Sequence, residues 1–298
     1  MVLGLVLVLW LGASGCGPVS RPKPPRPALP RTRLTVTLAG SPLLALPLFV
    51  AEHAHLLREY GLSIRLAADG PIYIGPPAAF PLDGLVAWRP DAVVLTPGPD
   101  APFRWTDLKA WPKLPVAALD QSESAWLAAV LADHGLAGIP LERFSLPDAL
   151  RLLAHHHLPW LVLPLVKAQG LLARGAYAAG FVGASTGPVP ALVVEGHGAG
   201  LERLLAALNQ ADSLIASTPA ATLAKMTARA YPGLARAALT TLIATGQGLG
   251  LWPPASFLGR DVYERGRHLR ILAGIAWPDY SAGVKSAPEL QALIDPRP

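Results

Sequence analysis

Cysteine occurs once in these 298 residues, which leaves no partner for an internal disulfide. Charged residues are few, at 15% against 52% hydrophobic ones, and that balance excludes an intrinsically disordered chain. Long uninterrupted helices and coiled coils are excluded by 32 Pro and 28 Gly. No Gly-x-Ser-x-Gly elbow, Walker loop, dinucleotide fingerprint or His-Glu-x-x-His is found, so neither a catalytic signature nor a cofactor is expected. Acidic residues are missing before residue 34, where Arg21, Lys23, Arg26, Arg31 and Arg33 stand alone. Removing those five from the 25 Lys and Arg leaves 20 cations against 20 Asp and Glu in the body. The basic excess is therefore a stalk at one end, and a nucleic-acid partner, which would need cations clustered on the folded surface, is not expected. The length suffices for one large α/β domain or two lobes with separate cores.

The amino-terminal run VLGLVLVLWL, residues 2–11, is too short to span a bilayer as a helix and leads into small residues, as a secretory signal does. It ends at Ala13-Ser14-Gly15-Cys16, which resembles the lipobox of bacterial lipoproteins, although Ala13 stands where Leu is usual and no cation precedes the apolar run. Residues 1–16 are thus expected to be a signal peptide with lipobox, and Cys16 the site of lipid attachment. An ordinary signal peptide, or a membrane-anchoring stub with an incidental cysteine, is the alternative. Residues 17–33 carry prolines at 18, 22, 24, 25, 27 and 30 and favour an extended polyproline conformation, a semi-rigid basic tether.

From residue 34 onward short β-rich runs alternate with helical stretches, which predicts an α/β fold with largely parallel sheets. Strands are expected at 34–38, 62–66, 72–74, 84–87 and 92–96, with a helix over 43–60. After the break at 97–102, strands at 115–119, 142–146, 161–163 and 180–183 alternate with helices at 124–134, 148–156 and 165–174. A return strand at 191–194 precedes helices at 200–215, 219–230, 233–245 and 255–273.

The order of these elements and several strings within them resemble the substrate-binding proteins of the nitrate, sulfonate and taurine class of ABC importers, a family that includes thiamine-pyrimidine-synthase-like proteins. The strings are LTVTLAGSPLLALPLFVAEHAHLLREYGLSIRL (34–66), Asp107-Leu108-Lys109 ahead of PVAALDQSESAWLAAVLADHGL, LVLPLVKAQGLLARG (161–175), GPVPALVV (187–194) and LGLWPPASFLGRDVYERG in the late helical region. The resemblance spans nearly all of 34–290 and implies a two-lobed, periplasmic-binding-protein-like fold of type II. Lobe one would comprise 34–105 plus 190–298 and lobe two 106–189, with a ligand cleft between them and the carboxy-terminal helices packed on lobe one. Two departures stand out: only Ala-Ala-Asp-Gly-Pro joins 66 to 72, where the family usually places a helix, and Leu163 replaces an acid often found before the proline of the third unit.

In such a fold ligands lie beyond the carboxyl ends of the strands, where helix amino termini present free N–H groups. That position singles out Ser41 and Pro42 after the first strand, and Gln121, Ser122 and Ser124 after the first strand of lobe two. Gly75 and Pro76 end another strand facing the cleft, and Ser185 and Thr186 are expected as polar contacts near the hinge. Ser122 or Ser124 as a simple helix cap, worth about 1 kcal/mol, is the competing reading. His155, His156 and His157 are conspicuous, but successive helix positions point about 100° apart, so no metal site is expected there or at His53 and His55.

The resemblance implies an extracytoplasmic, lipid-anchored monomer on the periplasmic or extracellular face. It would capture a small anionic or polar organic ligand and deliver it to an ABC permease, and it would not be an enzyme. The alternatives are an enzyme on the same fold, such as a dehydratase or a pyrimidine synthase, and a periplasmic sensor or assembly partner that binds no ligand.

Overall fold

A computed structural model describes residues 30–38, 41–75, 88–100, 103–186, 193–195, 200–254, 264–265, 267–269 and 271. The proposed signal, Cys16, most of the tether, the strand expected at 84–87 and most of the helix expected at 255–273 lie outside these residues.

Two sheets organise the chain. The first contains β1 (Thr32–Leu38), β2 (Leu62–Leu66), β3 (Ile72–Gly75) and β9 (Val193–Glu195) in the order β2-β1-β3-β9. β1 is parallel to both neighbours, pairing Thr32 with Leu62 and Val36 with Ile72, while β9 runs antiparallel to β3. The second sheet has the order β6-β5-β7-β4-β8, built from β4 (Ala92–Thr96), β5 (Leu114–Ala117), β6 (Leu141–Phe144), β7 (Leu161–Pro164) and β8 (Tyr177–Phe181). Here β5 is parallel to β6 and β7, and β4 is antiparallel to both β7 and β8. Both sheets share a plan of three parallel strands in the order second, first, third, then one reversed strand that has arrived from the other sheet; the second sheet adds β8 outside β4. The chain crosses between sheets twice, from β3 to β4 and from α6 (Val182–Thr186) to β9.

One boundary read from the sequence is corrected by this pairing. The proline-rich stretch 97–102 reads as a break after β4 and would leave β4 in lobe one, yet β4 is hydrogen-bonded inside the second sheet. All five of its residues are buried, so it needs strands on both edges and helices on both faces, which only the second sheet provides. The first crossing thus falls before residue 92, not at 105.

The connection lacking a helix between β2 and β3 has a physical explanation. Leu66 and Ile72 both lie level with Val36, on opposite sides of β1. The chain steps across β1 in five residues and continues in the same direction, so no return helix is required, in contrast to the usual parallel crossover. Gly70 rides directly on the β1 backbone, donating its N–H to Thr37 Oγ1 at 2.6 Å. A Cβ there would lie 2.7 Å from the Thr35 carbonyl oxygen, so glycine is required.

The helix expected over 43–60 is broken in two, α1 (Leu46–His53) and α2 (Leu56–Glu59), by His55 in the left-handed conformation at φ 61°. The break turns Leu56 and Leu57 into the core beneath β2. In the second lobe, α3 (Gln121–Asp133), α4 (Leu146–Ala154) and α5 (Leu165–Leu172) follow β5, β6 and β7. The His155–His157 run lies past the end of α4, with His156 also left-handed and all three side chains exposed.

The helices α7 (Leu201–Ser217), α8 (Ala220–Thr227) and α9 (Arg236–Leu249) follow, and beyond them Leu269 is buried in the core of the second sheet, not on lobe one as expected, with Arg265 donating to the Thr186 carbonyl. α7 and α8 pack on α1, as expected, and α9 also reaches α5 of the second lobe. As a result the larger hydrophobic core runs from β1 and α1 through these helices to one face of the second sheet, including Val93, Leu95, Leu161 and Leu163. The opposite face of that sheet has its own core, centred on Val94, Val116, Trp126 and Val162. Arg203 of α7 fastens the first strand, donating to the Pro30 and Tyr60 carbonyls and to Thr32 Oγ1. Among the described residues, no helix is long and apolar enough to cross a membrane.

Candidate functional site

The carboxyl ends of β1 and β5 meet at the seam between the sheets. Past β1, Ser41 opens the turn into α1, and its hydroxyl donates to Asp91 Oδ2 at 2.7 Å. Asp91 immediately precedes β4 and is wholly buried, and its backbone carbonyl accepts from Leu165 N–H. On the other side, α3 begins beyond β5 with a reciprocal cap. Asp120 Oδ1 accepts from Glu123 N–H and Glu123 Oε2 accepts from Asp120 N–H, each at 2.8 Å. This Asp-x-x-Glu arrangement satisfies two of the helix's free donors.

The resulting group is acidic and enclosed. Burial pushes the Glu123 carboxyl up to about 9, the adjoining Asp91 carboxyl adds to the rise, and the Asp120 N–H opposes it. Burial likewise raises the Asp91 carboxyl above the ordinary carboxylate range, against the lowering effect of the Ser41 hydroxyl. Glu123 is thereby held protonated at neutral pH, and its side chain hydrogen-bonds that of Asp91, which favours the charged form of Asp91.

The residues singled out in the sequence are only partly gathered here. Ser41 is at the seam, but its hydroxyl is committed to Asp91. The Pro42 carbonyl accepts from Tyr231 O–H at 2.9 Å, tying the turn to the segment that precedes α9. Gln121 is exposed in the first turn of α3. Ser124 Oγ accepts from Arg143 Nη2 at 3.0 Å. Neither Ser122 nor Ser124 caps α3; that position belongs to Asp120, and the Ser122 side chain lies outside the described residues. Gly75 closes β3 opposite Val193, and Pro76 lies outside the described residues. Ser185 Oγ accepts from Trp105 Nε1 at 2.8 Å, in α6, which packs against α3 and β4. Thr186 is buried and its carbonyl accepts from Arg265 Nε at 2.8 Å.

Sequence reasoning missed Asp91 and Glu123. A signal for each is present. Asp91 stands directly before the wholly apolar strand Ala-Val-Val-Leu, an unusual place for an acid, and Asp120 and Glu123 have capping-box spacing at the end of a strand. Elsewhere, a surface groove of about 460 Å³ is lined by Phe49, Glu52, His53 and His55 together with Leu66 and Arg229, with no residue of the second sheet. Among the described residues, no cluster of three or more His, Cys, Asp or Glu has metal-binding geometry.

No protein-family model matches the chain, and neither does any curated protein. Solved structures do. The chain is similar to the periplasmic aliphatic sulphonate binding protein SsuA from Escherichia coli, with 16% identity and a TM-score of 0.55 over 81% of this chain and 85% of that one. It is also similar to the ligand-binding component of an ABC-type import system from Staphylococcus aureus, solved with zinc bound. There the identity is 9% and the TM-score 0.58 over 88% and 98% of the two chains. The desulfurization enzyme DSZB matches with 15% identity and a TM-score of 0.56 over 89% and 100%. At these identities the likeness is one of fold. The fold is the two-lobed, periplasmic-binding-protein-like architecture that the family resemblance implied, and binding proteins and an enzyme share it.

Proposed function

We propose that the protein is an extracytoplasmic solute-binding lipoprotein, anchored through Cys16, that closes its two lobes over a small organic ligand and presents it to an ABC permease. The observation that carries this reading is the seam. Two sheets that share a core of three parallel strands and one reversed strand, joined by two crossings, bring the carboxyl ends of β1 and β5 to one seam, where Ser41 bonds Asp91 and Asp91 in turn bonds Glu123 of α3. A ligand touching both lobes stabilises the closed form by its differential contacts, and the crossings absorb the rotation. The likeness to import-system binding proteins supports the transport role, and the residues 2–16 support export and lipid attachment. The lobes are proposed to divide at the crossings before residue 92 and after residue 186.

The enzyme reading draws on the match to a desulfurization enzyme. Against it, the body after residue 33 contains no cysteine, so thiol nucleophile chemistry has no group to perform it. Native mass spectrometry of the mature protein taken from its own cell envelope tests the binding role. A small-molecule adduct that is released intact on denaturation is the expected result, and a released compound chemically altered by incubation with fresh protein would favour the enzyme. Radiolabelled palmitate should enter the wild-type chain and not the Cys16→Ser variant; equal labelling of both would remove the anchor from the proposal.

A further inference from the structure

The three histidines after α4 stand in a turn, not on a helix, and the turn brings two of them together. His156 N–H donates to the Leu153 carbonyl at 3.0 Å and His157 N–H to the Leu152 carbonyl at 2.9 Å. This is the Schellman arrangement, in which the chain leaves a helix through one left-handed residue. Here that residue is His156, at φ 59°. Glycine is its usual occupant, and an apolar side chain often follows to pack back on the helix; His156 and His157 depart from both preferences. The helical spacing of about 100° per residue therefore does not govern the run. Instead the rings of His155 and His157, on either side of His156, lie with centroids 6.3 Å apart and planes tilted by 43°. All three side chains are exposed.

Two imidazoles bound to one ion through nitrogens about 2.1 Å from it have centroids about 5 Å apart at a tetrahedral angle, and about 6.5 Å apart when they face each other across it. The observed spacing lies within that range, so small rotations of two exposed side chains suffice. Arg151, one turn earlier, is directed to Asp148, Nη2 to Oδ1 at 3.5 Å, which offsets its charge. We propose that His155 and His157 form an open two-imidazole site for a late divalent transition metal, copper(II) in preference to zinc(II), with water in the remaining positions. Imidazole suits these ions, and the preference follows their general order of affinity for such ligands. Magnesium and calcium take oxygen ligands and find none here. With two protein ligands the site is an exchangeable surface site, not a structural centre, which would take four. α4 leaves the carboxyl end of β6 and returns to the amino end of β7, so the pair stands at the end of lobe two away from the seam.

The test titrates the full mature chain, purified without a polyhistidine tag, with copper(II), zinc(II) and magnesium(II) chlorides. Isothermal titration reads the affinity, and electron paramagnetic resonance of the copper-loaded protein reads the nitrogen ligands. Copper is expected to bind more tightly than zinc and magnesium not at all, with two imidazole nitrogens in the copper spectrum. His155→Ala and His157→Ala should each weaken copper binding by about tenfold or more and leave one of those nitrogens. His156→Gly, which keeps the left-handed turn, should leave the affinity and the spectrum unchanged. Because the three side chains are exposed and the turn is held by backbone groups, circular dichroism should show every variant folded. Copper binding that is unchanged in both alanine variants would overturn the site, as would an equal loss in His156→Gly or the absence of copper binding to the wild-type chain.

Discussion

A carboxyl protonated up to about pH 9 in the folded chain, and only to about 4.5 when unfolded, makes folding itself take up a proton between those values. Glu123 is such a group, and Asp91 is displaced in the same direction. Both bind protons more tightly when folded, so their contribution is fully present at low pH and is lost as pH rises. Stability should therefore fall from about pH 5 toward pH 9, with a slope of at most about 1.4 kcal/mol per pH unit for each proton held. Urea unfolding across that range checks this, and the Glu123→Gln variant should show a shallower decline; a wild-type stability that rises over the range would show the pair to be ionised. Ser41→Ala removes the donor to buried Asp91 Oδ2 and should cost about 1–3 kcal/mol, the penalty of leaving a buried acceptor unmade. The chain pattern points to Ser41 because a small polar residue after a first strand is a local signal. Its true partner is fifty residues away, and no spacing rule reaches that far.

At the scale of elements, local chemistry predicted strands and helices well and their interruptions poorly. The strands expected at 34–38, 62–66, 72–74 and 92–96 all form, because alternating or fully apolar β-branched runs have few other uses. The break at His55 is different. Nothing in Ala-Glu-His-Ala-His-Leu disfavours helix, and it is the burial of Leu56 and Leu57 beneath β2 that forces the left-handed turn. The short link between β2 and β3 also has a local price at one position. Gly70→Ala would press a Cβ to within 2.7 to 2.9 Å of the β1 backbone at Thr35 and Thr37, atoms that cannot retreat without breaking the sheet. We expect a loss of about 1–3 kcal/mol in denaturant unfolding, with no loss from Gly138→Ala, whose Cβ would meet open space.

For the molecule as a whole, the two crossings touch one another. Gly183, at the start of the second, lies so close to the first that a Cβ would stand 2.7 Å from the Pro90 carbonyl oxygen and 2.8 Å from Arg89 Cβ. The first is also held from behind, since Arg89 N–H donates to the Leu251 carbonyl and Trp88 Nε1 to buried Asp212 at 3.1 Å. Gly183→Ala should therefore push the crossings apart. Small-angle scattering is expected to show a more open molecule, and titration with whichever ligand the native protein carries should show weaker binding; a variant with unchanged scattering and affinity would show that the crossings do not control closure.

The sequence by itself determined the alternation of strands and helices, the neutral body on a basic amino-terminal stalk, and an element order that implied two lobes. The first two follow from composition and from periodicity within a few residues, where the period of the backbone acts directly on the pattern of side chains, and the two lobes from the family that the ordered strings resemble. Only the tertiary structure decided that β4 belongs to the second sheet and that Ser41, Asp91 and Glu123 share one enclosed space. Those outcomes depend on pairing and burial between segments far apart in the chain, and the energy of a buried carboxyl is set by the surroundings that folding assembles around it.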